Sequence, residues 1–206
     1  DVKAASSPKV DMKKVSKKLL PSAIVMENVG HLHEDFDSLS FSSEELITKG
    51  ALFFQRFNLL SRMQFSEDTL VHFIMCVRAN YNENSFHNFV HGFTVCFTMY
   101  HLLLKEPSSE ANKDLGVPIC ARLSSLEIFS LLVASLCHDI DHPGVTNRFL
   151  TKYRHTWAVI YNDKNVLENH HSAVTFSILK KNNILLTDKL ANNEWLEFRK
   201  IVVETI

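Results

Sequence analysis

Five glycines and five prolines among 206 residues leave little material for tight turns. That scarcity argues against a turn-rich β architecture, while fifteen phenylalanines point to long elements packed against one another. The four cysteines (Cys76, Cys96, Cys120, Cys137) include no CxxC pair, and three lie in apolar, helix-like runs where a reduced thiol behaves as a small hydrophobe. A secreted disulfide framework is therefore not expected, and the cytoplasm is the expected compartment. Long hydrophobic runs are missing too. The most apolar stretch, Ile128 to Cys137, is interrupted by serines and too short to insert across a bilayer. Residues 1–20 lack the continuous apolar segment of a signal peptide. Neither sign of charge dominates: the net of -1 speaks against a general nucleic-acid or membrane-surface binder.

What is present reads as helix after helix. Residues 1–20 carry six lysines and two aspartates, which marks residues 1–40 as a basic lead-in followed by an irregular segment. Residues 41–206 read as one all-α domain. Ser42-x-x-Glu45 has capping-box spacing and precedes apolar residues at helical intervals from Leu46 to Leu60. Ser66, Glu67 and Asp68 open a second segment that ends near Asn80. A third is expected from about His87 to Leu104. Two prolines and a glycine make Lys105 to Pro118 a loop. Ser124-x-x-Glu127 then caps a nearly all-apolar helix that stops at His138-Asp139, with Pro143-Gly144 beyond it. Leu167 to Lys181 and Asn193 to Ile206 complete the series. The last of these ends mid-pattern, an apolar face without a stop signal, and reads as the edge of a domain that continues.

Six of the eleven histidines fall in three short clusters. In His87-Asn88-Phe89-Val90-His91, the i, i+4 spacing on a helix would aim both imidazoles at one site, where they suit metal binding or proton transfer. A pair of structural histidines at a helix start fits this cluster alone equally well. In His138-Asp139-Ile140-Asp141-His142-Pro143-Gly144, an ionisable pair ends a buried helix. Burying such a pair is costly unless it binds something, so a metal site is favoured over a helix-end ion pair. The third cluster is Glu168-Asn169-His170-His171, following Asn162-Asp163. Glu168 there is either a carboxylate favoured by the helix dipole or a group that orients an imidazole or a water. Mixed N/O donors from separated helices fit a hydrolytic metal centre better than a closed structural zinc site.

With these motifs (HNxxH, HDxDHPG and ENHH, in order across Glu44 to Ile206) the sequence resembles the class I 3′,5′-cyclic-nucleotide phosphodiesterases. The resemblance implies a compact multi-helix, HD-type catalytic domain whose carboxy-terminal helices are missing here. It implies metal-dependent hydrolysis of cAMP or cGMP to 5′-nucleoside monophosphates in signal transduction. His87 is similar to the family's general acid, which also meets the substrate, and Glu168 to the carboxylate that orients it. His91, His138 and Asp139 are similar to three of four ligands of a tight zinc, Asp139 bridging to a second ion, magnesium or manganese. His142 is similar to a group supporting that site. Phe86 stands where many members have Tyr. The family's fourth zinc-ligating Asp and its base-clamping Gln lie beyond Ile206, so this stretch alone is expected to be inactive. A homodimer stays open, and the alternative is a non-catalytic regulatory or interaction module that keeps the metal motifs.

Overall fold

The computed structural model describes residues 37–106, 116–181 and 185–206. The basic stretch at residues 1–20 and most of the loop between Lys105 and Pro118 lie outside them. Among the described residues there are nine α-helices and no strand. They are α1 (Ser43–Arg56), α2 (Leu59–Arg62), α3 (Glu67–Asn80), α4 (Phe89–Leu104), α5 (Ser125–Cys137), α6 (Asn147–Lys152), α7 (Thr156–Ile160), α8 (Val166–Lys181) and α9 (Asn192–Thr205).

Local chemistry sets the long helix starts. Both expected capping boxes form: Glu45 and Glu127 reach back to the backbone N–H of Ser42 and Ser124 at 2.8 and 2.7 Å, and each serine oxygen accepts from the glutamate's own N–H. Ser66 caps α3 by accepting from Thr69 N–H. The apolar run from Leu46 to Leu60 is not one helix, because Asn58 takes a left-handed conformation at φ 56° and splits it into α1 and α2. The short α6 and α7 have no counterpart in the sequence pattern, since one to two turns leave no periodicity to read. Thr146 accepts from Phe149 N–H and the His155 ring from Trp157 N–H, each in the first turn of its helix.

Helix α5 is the centre of the fold. It is buried along nearly its whole length and packs chiefly on α4 and α9, while α1 packs on α3 and α4. Phenylalanines fill the seams: Phe53 lies 5.3 Å from Phe93 and stacks on Tyr100 at 4.9 Å, and Phe129 stacks on Phe198 at 5.3 Å. Each fully buried ring contributes roughly 1.5–3 kcal/mol of hydrophobic stabilisation. The core hydroxyls of Ser130 and Ser135 donate to carbonyls one turn back, so they are buried without loss. A smaller cluster of Leu150, Ala158, Val166 and Leu167 ties α6 and α7 to the start of α8. That cluster brings the third histidine group to the end of α5.

Candidate metal and catalytic site

Helix α5 ends with His138 as its C-cap, and the chain turns through Asp139, buried Ile140 and Asp141, the last at φ 58°. Asp141 N–H donates to the Asn80 carbonyl at 3.0 Å, which pins this turn to the end of α3. The first histidine cluster arrives differently from expectation. Helix α4 begins at Phe89 with Asn88 as its cap, accepting from His91 N–H at 3.2 Å. His91 is therefore helical, but His87 lies before the helix, so an i, i+4 helical face does not unite the pair. Their rings are nevertheless 5.9 Å apart.

Three of the expected ligands converge. His91 Nε2 lies 3.1 Å from His138 Nε2, and each lies 3.2 Å from Asp139 Oδ2. A four-coordinate ion with bonds of about 2.0–2.1 Å sets its donor atoms about 3.3 Å apart, so these three atoms have the spacing of three corners of such a shell. The hydrogen bonds also leave the right lone pairs free. His138 Nδ1 donates to the Ser135 carbonyl at 2.8 Å, which keeps its proton away from Nε2. The residues present therefore fit a cation.

Electrostatics follows the same geometry. Burial alone would raise the Asp139 carboxyl, but the hydrogen bond and charge of His138, with further imidazoles nearby, hold it down at about 2. Burial alone would lower His138, but in the absence of a cation the doubly protonated ring can also donate from Nε2 to Asp139, and this outweighs burial and raises it. His91 is lowered by burial and by the neighbouring His138, because two imidazoles on one carboxylate oxygen do not both hold a proton.

His142 is buried and stacked on His87, ring centroids 4.0 Å apart and planes 11° from parallel. Its Nδ1 accepts from Gly144 N–H at 3.0 Å, which assigns the proton of the neutral ring to Nε2. The ring also converges with Asp139 and His171. Phe86, 62% exposed, covers the outer side, packed on His91 at 4.6 Å and edge-on to His87 at 5.0 Å.

The side chain holding Glu168 is Asn147, whose Nδ2 lies 3.2 and 3.0 Å from its two oxygens. His170 and His171 diverge. His170 bonds Asp141 at 2.8 Å beneath the stacked Trp157 ring. His171 donates from Nδ1 to the Ile140 carbonyl at 2.6 Å, leaving its buried Nε2 without a hydrogen bond, 3.8 Å from Asp139 Oδ1. Sequence reasoning gave His171 no specific role; its place in the ENHH motif was the signal. Nor did sequence reasoning assign roles to Asn82, Asn84 or Asn147, polar residues of loops and of a short helix, each with a partner distant in the chain.

A family model described as 3′5′-cyclic nucleotide phosphodiesterase matches residues 86–206. The chain is 34% identical over 171 residues to the cGMP-specific 3′,5′-cGMP phosphodiesterase 3 of Dictyostelium discoideum, covering 82% of this chain and 34% of that protein. It is 33% identical over 173 residues to the 3′,5′-cyclic-nucleotide phosphodiesterase regA of the same organism, covering 84% and 20%. Among solved structures, the phosphodiesterase domain of the RhoPDE fusion protein from Salpingoeca rosetta superposes with a TM-score of 0.72 at 32% identity, over 82% of this chain and 50% of that one. The chain thus spans about a third or less of these curated relatives and half of the solved domain.

Proposed function

The chain belongs to the 3′,5′-cyclic nucleotide phosphodiesterase family, and we propose that it forms the metal-holding part of an enzyme that hydrolyses cAMP or cGMP to the 5′-monophosphate. The observation that carries this reading is the triangle of His91, His138 and Asp139 donors with His87 beside it but outside it. His91, His138 and Asp139 would hold a zinc ion, and Asp139 would also help to hold a second ion, magnesium or manganese. Bound there, such ions supply Lewis-acid polarisation of the phosphoryl group and lower the pKa of a bound water.

The residues divide the remaining work. As water adds its oxygen to phosphorus it releases a proton to solvent, the P–O3′ bond breaks, and the departing ribose oxygen takes a proton from a donor that solvent then reprotonates. His87 delivers that proton. The stack on His142 restrains its ring, and Glu168, held by Asn147, adds negative charge that is felt by His142. His138 and His171 keep their Nδ1 protons on backbone carbonyls, which leaves both Nε2 atoms as acceptors. The buried thiols of Cys76, Cys96 and Cys137 support residence in a reducing compartment such as the cytoplasm. No helix of the described residues is long and apolar enough to cross a membrane.

The test is metal content and hydrolysis of cAMP and cGMP, for the full-length protein and its variants. His138→Ala is expected to lose the tightly held zinc and all turnover. His87→Ala is expected to keep the zinc and lose about 10²- to 10⁴-fold in turnover. Equal zinc loss in both variants would refute this division of roles. A full-length protein that binds zinc and hydrolyses neither nucleotide would make the chain part of a non-catalytic module. Residues 1–206 alone are expected to be inactive.

A further inference from the structure

We propose that Asn84 is a positioning residue for the proton-donating imidazole, an inference that rests on reading His87 as the general acid. Because His87 precedes α4, no helical hydrogen bond fixes its backbone, and residues 82–88 form no regular element. Asn84 supplies the constraint. Its Nδ2 donates to the carbonyls of His87, at 3.1 Å, and of His142, at 2.7 Å. One nitrogen therefore ties together the backbones of two residues far apart in sequence, and these are the two whose imidazoles stack at 4.0 Å.

The surroundings hold Asn84 itself in place. Its backbone carbonyl accepts from Asn88 Nδ2 at 2.9 Å, and Asn88 is the cap of α4. The adjacent Asn82 also donates to the His142 carbonyl, at 3.0 Å, so both acceptor positions of that oxygen are used. On the other side, Gly144 sits at φ 76° with its α-carbon turned toward Asn84, where an added Cβ would meet Oδ1 at 3.2 Å. Gly144 also donates to His142 Nδ1, so the same turn orients the lower ring of the stack.

This chemistry requires a carboxamide. Its NH₂ group has two hydrogens in one plane and can serve two carbonyls at once, whereas a carboxylate of the same shape has none and would repel both. Removing the tie leaves α4 capped and the His91, His138 and Asp139 triangle intact, but frees the His87 backbone. A displacement of about 1 Å in a reacting group is enough to cost on the order of 10²-fold in rate.

The experiment is a double-mutant cycle in the full-length protein, with kcat, KM and zinc content measured for Asn84→Ala, His87→Ala and the double variant, and Asn84→Asp as a second probe of the amide. Asn84→Ala is expected to lower kcat about 10- to 100-fold with KM and zinc little changed. In the His87→Ala background the same change should cost less than about twofold, because its effect runs through His87. In histidine-¹³Cε1-labelled protein, the His142 resonance should lose its ring-current shift in Asn84→Ala as it does in His87→Ala. Full additivity of the two losses, a parallel fall in zinc, or an unshifted His142 resonance would overturn the proposal. If His87→Ala impairs turnover and Asn84→Ala does not, this inference alone fails. If His87→Ala leaves turnover intact, the general-acid reading fails first and takes the inference with it.

Discussion

Asn147 uses both ends of its carboxamide at the start of α8, one on Glu168 and one on the backbone beside it. Nδ2 spans the two carboxylate oxygens at 3.2 and 3.0 Å, while Oδ1 accepts from Leu167 N–H at 2.8 Å, in the first turn of α8. The same residue that fixes the carboxylate therefore satisfies one of the helix's orphan donors, from a helix about twenty residues earlier in the chain. Asn165, immediately before α8, is at φ 43°, and it is Asn147 that caps the Leu167 N–H.

This dual contact predicts an asymmetric response to substitution. Asn147→Ala removes a cap and a hydrogen bond to a charged group, and should cost about 1–3 kcal/mol in urea unfolding of the full-length protein. Asn147→Asp keeps the cap to Leu167 N–H but sets two carboxylates against each other. It should recover stability as pH falls and the two carboxylates come to share a proton. If the Asn147→Asp variant proves as stable as wild type at pH 7, Glu168 is held by something else.

The legible part of this molecule is the part written in local chemistry. Ser42-x-x-Glu45 and Ser124-x-x-Glu127 form the boxes their spacing specifies, and α3, α5, α8 and α9 begin and end within a residue or two of the expected points. The donors His91, His138 and Asp139 were legible because two sit together at one helix end and the third lies in a motif of fixed spacing. His87 was correctly placed near them for a wrong geometric reason: it reaches the site from an irregular segment before α4 rather than from a helical face. What stayed hidden is the set of ties between distant segments. Asn82, Asn84 and Asn147 bond carbonyls and carboxylates about 20 to 60 residues away, and a single asparagine carries no periodicity that announces its partner. Likewise, His170 and His171 are neighbours in sequence and part company in space.

Gly92 shows close packing overriding helix propensity. It lies inside α4, where alanine would ordinarily add about 1 kcal/mol of helix stability. A Cβ at this position would instead lie 2.7 Å from Tyr81 Cζ and 3.1 Å from the Leu136 carbonyl oxygen. Tyr81 is buried and donates to that carbonyl at 2.9 Å, so any shift of its ring also breaks the bond. Gly92→Ala is therefore expected to destabilise the fold by about 1–3 kcal/mol, measured by urea unfolding, despite the gain in propensity. A neutral or stabilising outcome would mean that α4 and α5 separate easily at this point. His91 and His138 would then lose the rigid support that sets their 3.1 Å spacing.

His171 makes stability depend on pH, and the sign follows from its surroundings. Burial holds the imidazole down at about 4, against about 6.5 in an unfolded chain. Between those values the unfolded chain binds a proton that the folded protein refuses, so acid favours unfolding. The contribution is complete above about pH 6.5 and is lost as pH falls toward 4, at up to about 1.4 kcal/mol per pH unit. His91 and His142 are lowered by burial and by neighbouring imidazoles and act in the same direction. His138, raised by Asp139, acts in the opposite one, losing its contribution as pH rises above about 6.5. Replacing His171 by Asn keeps a donor for the Ile140 carbonyl and removes the titration. With a chelator present to keep metal out of the linkage, wild-type stability should fall more steeply than that of His171→Asn between about pH 7 and 5. Parallel pH profiles would mean that His171 takes up its proton in the folded state, which would require its lone Nε2 to have a partner as a cation. The carboxylate of Asp139, 3.8 Å away, is the group positioned to serve.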